Sequence, residues 1–324
     1  MWTSSIPVPE SEHFTIHQLA EGVFAAIATP LGAAYSNAGI IDLGDRTLVF
    51  DTFDTPAAAR DLRTAAESLT GRMVTYVVIS HVHSDHWMGN QVFPSSTIIL
   101  STHKIRAGMP EWGDEMLEHQ QDPSEYKDYV RESEDRLAVE KDPSWQTTLK
   151  RSIRRARYQL QSLPELELRY PDQTFEGNLV FHGSQRWVEL RAFGQGHSES
   201  DLVLLLPEQG IAFIGDLGFF STQPFLPYGQ LGAWKKHLLF FEASDFKTFV
   251  PGHGTIGTKA DLALQRGYFE VLEQQVAAVI QAGGSAQDAL KIELPAPFDA
   301  WLAGGMGRLE ANVNYLYTKL SEEA

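Results

Sequence analysis

The segment SHVHSDHWMGN occupies residues 80–90 and carries the strongest chemical signal in the chain. It contains three histidines and one aspartate within six positions: His81, His83, Asp85 and His86. The whole chain of 324 residues has only 11 histidines, so this local density is unusual. The segment follows TYVVIS, an apolar run that predicts a buried strand. Functional groups favour loops that a rigid scaffold positions, so these side chains indicate a metal or catalytic site.

The spacing of the four side chains suits two adjacent metal ions. A histidine pair two residues apart, such as His81 and His83, places both imidazoles on one side of an extended loop, where both can reach one metal. Asp85 and His86 can then turn toward a second position, and two metals about 3.5–4 Å apart can clamp both oxygens of a displacement. The alternative interpretation, that these polar side chains cap a helix and face water, explains one histidine better than it explains the cluster.

Three later segments repeat the pattern of an apolar strand, a small residue and a ligand-type side chain. RAFGQGHSESD places His197 after a strand and a glycine-rich turn, and IAFIGDLGF places Asp216 at the end of another strand. TFVPGHGT places His253 after a third strand, between glycines that leave room for close approach. We expect these three side chains to complete the site.

Composition limits the classes of function. The chain has no cysteine, so it has no disulfide framework and any metal must be held by nitrogen and oxygen ligands. Its formal net charge of −16 argues against binding to nucleic acid. The apolar runs are too short to span a bilayer, and the first residues lack the pattern of a signal peptide. We therefore expect a cytoplasmic protein without membrane or nucleic-acid partners.

The order of elements predicts an α/β (α+β) fold in one domain, residues 1–324. Short β-rich runs come first, and a helix follows between a Thr55 N-cap and Gly71. Residues 104–162 are rich in charge and predict two or three helices, with breaks at the two Asp-Pro pairs. Strands then return and a long helix follows at about residues 260–282. This order predicts two sheets packed face to face with helices outside.

A basic cluster lies near the end of the helical segment 104–162. Its members could bind an anion, but we interpret them as a solvated helix face that pairs with nearby acids. The cluster comprises Lys150, Arg151, Arg154, Arg155 and Arg157.

Taken together, these motifs resemble those of the metallo-β-lactamase-fold hydrolase superfamily. The motif H-x-H-x-D-H is matched at residues 81–86, and the later ligand motifs are matched by His197, Asp216 and His253. Asp51, in LVFDTF, matches the early aspartate that supports the site from behind the ligands in that family. The resemblance implies a four-layer αββα sandwich in which residues 104–162 form a helical insertion.

The resemblance also implies two divalent metal ions. The ligand types suit Zn²⁺, with Mn²⁺ or Fe²⁺ as other choices. It implies that Asp216 bridges both ions. The first ion would be held by His81, His83 and His197, and the second by Asp85, His86 and His253.

The expected reaction is hydrolysis of an ester, lactone, thioester or amide-like bond in a small organic substrate. A hydroxide bridging the two ions would attack the carbonyl, and Asp85 would orient it. Tyr228 could donate a proton or hydrogen bond to the leaving group, as a tyrosine does in similar lactonases. Phe219, Phe220 and Phe225 would form an apolar wall or pack into the core.

Several alternatives remain at this point. A phosphodiesterase or nuclease of the same fold is opposed by the negative charge. A mononuclear iron sulfur dioxygenase would not need the complete second ligand set. A diiron flavoprotein of this fold normally has a glutamate where His83 stands and a flavin domain, and neither is present. A metal-binding regulator without catalysis and a homo-oligomer also stay open.

Overall fold

The apolar runs of the first third of the chain form a seven-stranded sheet in the computed structural model, which describes residues 9–301 and 307–323. The strands lie side by side in chain order, antiparallel from the first to the fourth and parallel from there on. They are β1 (Phe14–Ala20), β2 (Val23–Ala28), β3 (Ala38–Asp42), β4 (Thr47–Phe50), β5 (Val74–Val78), β6 (Ile98–Thr102) and β7 (Gln173–Phe175).

The second half of the chain supplies a five-stranded sheet. Its strands also lie side by side in chain order. The last two strands of the chain pair in parallel, and the other neighbours are antiparallel. Its strands are β8 (Asn178–His182), β9 (Trp187–Gly194), β10 (Asp201–Leu206), β11 (Ile211–Phe220) and β12 (Thr248–Gly254).

Helices connect and cover the two sheets. In chain order they are α1 (Pro56–Thr70), α2 (His103–Gln121), α3 (Ser124–Val139), α4 (Pro143–Ser162), α5 (Leu231–Ala243), α6 (Lys259–Gln281), α7 (Ala286–Ala289) and α8 (Arg308–Glu323).

Strand β10 shows why its sequence, DLVLLL, is apolar without alternation. Leu202, Leu204 and Leu206 face the first sheet and join its buried cluster, together with Ile40 of β3. The intervening Val203 and Leu205 join a second cluster with side chains from α5, α6 and α8. Because successive side chains of a strand point to opposite faces, both faces of this sheet are buried.

Helix α1 covers the other face of the first sheet. Leu62 belongs to the buried cluster that contains β4 and β5. The Thr55 hydroxyl accepts a hydrogen bond from the Ala58 backbone N–H at 3.3 Å, and Gly71 ends the helix with φ 69°. Both ends of α1 are therefore as the sequence predicts. The layers run helix, sheet, sheet, helix, which confirms the predicted αββα sandwich.

The helical segment 104–162 contains three helices, with breaks at Asp122-Pro123 and Asp142-Pro143 as predicted. The Asp142 side chain caps α4 by accepting from two backbone N–H groups. The single-domain assignment of residues 1–324 stays a prediction, and residues 1–8, with the predicted lack of a signal peptide, lie outside the described residues. Within residues 9–301 and 307–323, no helix has the length and apolar character needed to cross a bilayer.

Two strands run further than the sequence predicts. The sequence predicts Asp216 at the end of its strand and His253 just after its strand, but β11 continues to Phe220 and β12 continues to Gly254. The two strands pair in parallel past this point, with an irregular register at Gly215, whose φ is 50°. A polar residue after an apolar run indicates a strand end in the sequence, whereas pairing with a neighbour continues the strand here.

Candidate metal centre

The four candidate ligands of the segment 81–86 lie at the edge of the first sheet where β4 and β5 both end. The strands are parallel, so the residues that follow them meet at one edge. The Asp51 N–H donates to the Val78 carbonyl at 2.9 Å, which joins the two chain segments just beyond the strands. A 3₁₀ turn at Ser84–His86 then directs the second half of the motif back toward the first.

Four side chains converge as a first group. His83 Nδ1 lies 3.0 Å from His81 Nε2 and 2.9 Å from His197 Nε2. Asp216 Oδ2 lies 3.1 Å from His197 Nε2 and 3.7 Å from His81 Nε2. Ligand atoms around a tetrahedral zinc ion with bonds of about 2.0–2.1 Å are about 3.3 Å apart. The observed separations are close to that spacing.

Three further side chains form a second group beside the first. Asp85 Oδ2 lies 3.2 Å from His253 Nε2 and 3.7 Å from His86 Nε2. Asp216 also faces this group: its Oδ1 lies 3.1 Å from His86 Nε2, and its Oδ2 lies 3.4 Å from His253 Nε2. Asp216 therefore contacts both groups. The structure brings together all seven side chains that the sequence singles out as ligands.

The donor set fits divalent metal ions. All seven ligand atoms are imidazole nitrogens or carboxylate oxygens, the types that suit Zn²⁺, Mn²⁺ or Fe²⁺. Among the described residues, Asp85 Oδ2, His86 Nε2 and Asp216 Oδ1 are buried without a hydrogen-bond partner. Each such buried polar atom costs about 1–3 kcal/mol. Two ions at these positions would satisfy all three atoms.

Asp51 lies behind both groups and orients two of the imidazoles. Its Oδ2 accepts from His86 Nδ1 at 2.7 Å and from the Ser80 hydroxyl at 2.7 Å, while its Oδ1 accepts from the Ser80 backbone N–H at 2.8 Å. Ser80 Oγ also lies 2.9 Å from His81 Nδ1. Donation by Nδ1 leaves Nε2 of both imidazoles as the free lone pair, which faces the other ligands.

The backbone at Asp51 and Phe53 is in the left-handed region, with φ of 60° and 67°. Such conformations cost non-glycine residues of order 1–3 kcal/mol and persist only where the surroundings impose them. Here the intervening Thr52 N–H donates to the His86 carbonyl at 2.9 Å, and the Phe53 carbonyl accepts from the Gly89 N–H at 3.2 Å. These bonds tie the strained segment to the ligand loop.

Gly252 permits the close approach of β12 to Asp216. A Cβ atom at this position would lie 1.8 Å from Asp216 Oδ1 and 2.9 Å from the Gly215 backbone. No side chain fits at that distance, so the glycine before His253 is required by the position of the shared carboxylate.

The two carboxylates among the candidate ligands, Asp216 and Asp85, favour the ionised form. Burial alone raises the pKa of Asp216, but the facing imidazoles of His253 and His86 outweigh it and hold the pKa well below the usual value. In Asp85, burial is likewise outweighed by the charge of His86 and the contact with His253, and the pKa is well below its usual value. Both side chains thus offer the charged form that binds a cation.

The imidazoles divide into two classes. Burial lowers the pKa of His81 well below its usual value and that of His83 to about 3, so both are neutral and ready to bind a metal. In His253, burial is outweighed by the charges of Asp216 and Asp85, which raise the pKa to about 9. The same carboxylates, with Asp51, raise the pKa of His86 well above its usual value despite burial. A metal ion in the second group must displace these protons.

Aromatic side chains border the first group. The Tyr228 ring lies 5.6 Å from the His83 ring, and the Trp112 ring, from α2, lies 4.6 Å from His83 and 5.2 Å from Tyr228. Phe225 lies 5.8 Å from Tyr228 on the same side. Tyr228 is 55% exposed, so this side chain borders both His83 and solvent.

The other aromatic residues of the predicted wall, Phe219 and Phe220, pack into the core and also border the cavity beside the second group. Both are 1% exposed. The Phe219 ring stacks on the His253 ring at 4.9 Å and therefore supports that imidazole. Trp87 is buried and donates from Nε1 to the Val82 carbonyl at 2.7 Å. This hydrogen bond stabilises the loop that carries the ligands.

Sequence reasoning missed three residues at the site. Ser80 adjoins the ligand motif, and a hydroxyl at a strand end could have signalled its role. Tyr35 lies near no motif, yet its carbonyl accepts from His253 Nδ1 at 3.2 Å. Trp112 lies in the helical segment, and only the fold brings it to His83.

Comparison with solved structures supports the fold. A metallo-β-lactamase from Erythrobacter litoralis with beta-mercaptoethanol in its active site is 16% identical, with a TM-score of 0.56, covering 81% of this chain and 98% of that one. The mono-zinc form of FIM-1 from Pseudomonas aeruginosa is 16% identical, with a TM-score of 0.54, covering 81% and 96%. The sec-alkylsulfatase Pisa1 from Pseudomonas sp. is 15% identical, with a TM-score of 0.64, covering 94% of this chain but 50% of that one.

Comparison of the sequence with curated proteins finds no match. The family model of the metallo-beta-lactamase superfamily, in contrast, matches residues 31–253, which is more than half of the chain and spans every candidate ligand. This chain therefore belongs to the metallo-beta-lactamase superfamily of metal-dependent hydrolases.

Proposed function

We propose that the protein is a dinuclear-metal hydrolase that cleaves an ester, lactone, thioester or amide-like bond in a small organic substrate. The observation that carries this proposal is the convergence of seven buried or nearly buried ligand side chains in two groups that share Asp216. Imidazole and carboxylate ligands without thiolates favour Zn²⁺ as the physiological metal.

When bound, two such ions would polarise a carbonyl oxygen and lower the pKa of a coordinated water molecule. The role of the protein is to hold the ligands in place and to position the substrate. Asp85 is the proposed residue that orients the attacking water, because its buried Oδ2 lies in the second group, 3.2 Å from His253 Nε2. Asp51 and Ser80 would hold the imidazoles in the ligating orientation.

Tyr228 is the proposed hydrogen-bond donor to the leaving group. Its ring lies beside His83, and the side chain is more than half exposed at the mouth. Trp112 and Phe225, with Tyr228, would present an apolar surface to the organic part of the substrate. This arrangement supports a small organic molecule as the substrate.

The complete second group favours a dinuclear hydrolase over a mononuclear sulfur dioxygenase. Asp85, His86 and His253 lie together, and a single-metal enzyme would not require them. The charge of −16 continues to disfavour nucleic-acid substrates. The cytoplasmic location and a homo-oligomer stay predictions from the sequence.

The proposal is tested by turnover of a panel comprising 4-nitrophenyl acetate, a γ-lactone, a thioester and a penicillin. We expect the Zn²⁺-loaded protein to hydrolyse at least one carbonyl substrate, and His81→Ala and Asp216→Ala to abolish that turnover. A loaded protein that binds two ions but turns over no member of the panel would favour the non-catalytic regulator instead.

A further inference from the structure

A cavity of about 990 Å³ opens beside the second ligand group. Its lining includes His253 and Ser84, next to the ligands, and residues of α2, α3, α4 and α8. The helical segment 104–162 therefore forms much of its wall. A cavity of this size can hold a small organic molecule that reaches the metal centre.

Three arginines line this cavity, and two of them contact Tyr35. Arg151 and Arg155 lie one turn apart on α4, and Arg308 comes from the first turn of α8. The Arg155 Cζ lies 3.4 Å from the centroid of the Tyr35 ring, and Arg308 Nη2 donates to the Tyr35 hydroxyl at 2.9 Å. Positive charge from two separate parts of the chain thus meets at one side chain.

Tyr35 connects the arginines to the ligand group. Its carbonyl accepts from His253 Nδ1 at 3.2 Å, and its ring lies 4.9 Å from the His253 ring. The guanidinium groups of Arg155 and Arg308 are therefore separated from a candidate metal ligand by one residue. A substrate at the metal centre would have a positively charged wall within reach.

The positive charge is only partly compensated inside the protein. Arg155 Nε lies 3.4 Å from Asp54 Oδ2, which also accepts from Gln159 Nε2 at 2.8 Å. Within residues 9–301 and 307–323, neither Arg151 nor Arg308 forms an ion pair. The other acids of the lining are exposed side chains of α2 and α3: Glu115, Glu125, Asp128 and Glu132.

The interpretation of the basic cluster as a solvated helix face that pairs with nearby acids holds only in part for Arg155, which pairs with Asp54 but is partly buried. It does not hold for Arg151, which is partly buried and has no ion pair among the described residues. Arg154 and Arg157 do form exposed pairs with Glu12 and Glu134. Arg151 and Arg155 instead point to the cavity, because positions four apart share a helix face. The charge of a partly buried guanidinium is costly unless an anion meets it.

We propose that Arg151, Arg155 and Arg308 form an anion subsite that recognises a carboxylate or sulfate group on the substrate and so places the scissile bond at the metal centre. This inference rests on the proposed hydrolase function. Guanidinium groups bind such oxyanions through two parallel N–H donors. The positive charge is confined to this part of the cavity, whereas the net charge of the whole chain, −16, would repel anionic substrates.

The test compares two 4-nitrophenyl esters of similar length, the neutral pentanoate and the anionic hemiglutarate. Arg308→Met is the main variant, since Arg308 leaves no carboxylate unpaired. We expect Arg308→Met to raise KM for the hemiglutarate about tenfold to a hundredfold, because a charge-assisted hydrogen bond is lost. KM for the pentanoate should change by less than about twofold. Arg157→Met, on the outer face, should change neither ester.

Arg155→Met alone would leave the buried Asp54 carboxylate without its ion pair, so this substitution is combined with Asp54→Asn. The double variant should show the same loss toward the hemiglutarate with an unchanged melting temperature. Equal losses toward both esters in the Arg308 and Arg155 variants, or no preference of the wild type for the anionic ester, would overturn the subsite.

Binding without turnover separates this inference from the proposed function. Calorimetry with metal-free protein should detect glutarate or ethyl sulfate, and Arg308→Met should weaken that binding at least tenfold. The anion that binds more tightly identifies the group recognised. Arg308-dependent binding without hydrolysis would refute only the hydrolase, and hydrolysis with no Arg308-dependent binding of either anion would refute only the subsite.

Discussion

Replacing Asp51 with asparagine isolates the role of the residue behind the ligands. The amide has nearly the same shape, but it exchanges one acceptor oxygen for an NH₂ donor. Asp51 accepts three hydrogen bonds, two from Ser80 and one from His86, and it is 1% exposed. An asparagine cannot accept all three, so one donor must face another donor in a buried site.

The orientation of the amide decides which bond is lost. If the NH₂ group faces His86, the imidazole must move its proton to Nε2, the atom 3.1 Å from Asp216 that is needed for a metal. Loss of such a supporting bond costs about tenfold to a hundredfold in metal affinity. That corresponds to about 1.4–2.7 kcal/mol. The first group changes less, because His81 keeps Ser80 Oγ as its partner.

The assay is a Zn²⁺ titration with a competing chelator that resolves two dissociation constants. We expect Asp51→Asn to weaken the second site by the stated factor and the first by less than about threefold. Ser80→Ala is the matched control, since it removes the partner of His81 and should weaken mainly the first site. Equal weakening of both sites by Asp51→Asn, or unchanged affinities in a folded variant, would refute the reasoning.

Three further perturbations have defined outcomes. Gly252→Ala should abolish binding of both metals, measured by elemental analysis, because its Cβ would displace Asp216, whereas Gly232→Ala, with 3.5 Å of clearance, should bind normally. Tyr228→Phe should lower kcat about tenfold with little change in KM if the hydroxyl assists the leaving group, and an unchanged kcat would restrict Tyr228 to the wall. For the metal-free protein, we expect the melting temperature to fall as pH rises from about 6.5 to 9. The folded pKa of His253, about 9, lies above its unfolded value, so its stabilising contribution is complete below the unfolded pKa and is lost through the folded one. A rising or flat melting temperature would contradict this assignment.

The candidate ligands could be predicted because their signals are local. Each of the seven follows or ends an apolar run, and parallel or neighbouring strands bring such positions to one edge of a sheet. The two ends of α1, at the Thr55 N-cap and at Gly71, could be predicted equally well, because a helix end depends on residues within one turn.

The walls of the site could not be predicted because they depend on contacts far apart in sequence. Arg308 meets Tyr35 across 273 positions, and nothing near either residue indicates the contact. The two classes of arginine on α4 have the same local sequence character. Their different surroundings are set by where the fold places the helix over the cavity.

The length of β11 could not be predicted from the sequence for a related reason. Asp216 after IAFIG resembles a strand end, yet the partner strand β12 continues the ladder beyond it. The sequence of one strand carries little information about the length of its neighbour.

The central claim is tested most directly by counting metal ions. Equilibrium dialysis of the purified protein against Zn²⁺, followed by elemental analysis, should give two ions per chain in the wild type, and Asp216→Ala should lower the count because its carboxylate contacts both groups. A wild-type protein that saturates at one ion per chain, or at none, would contradict the account.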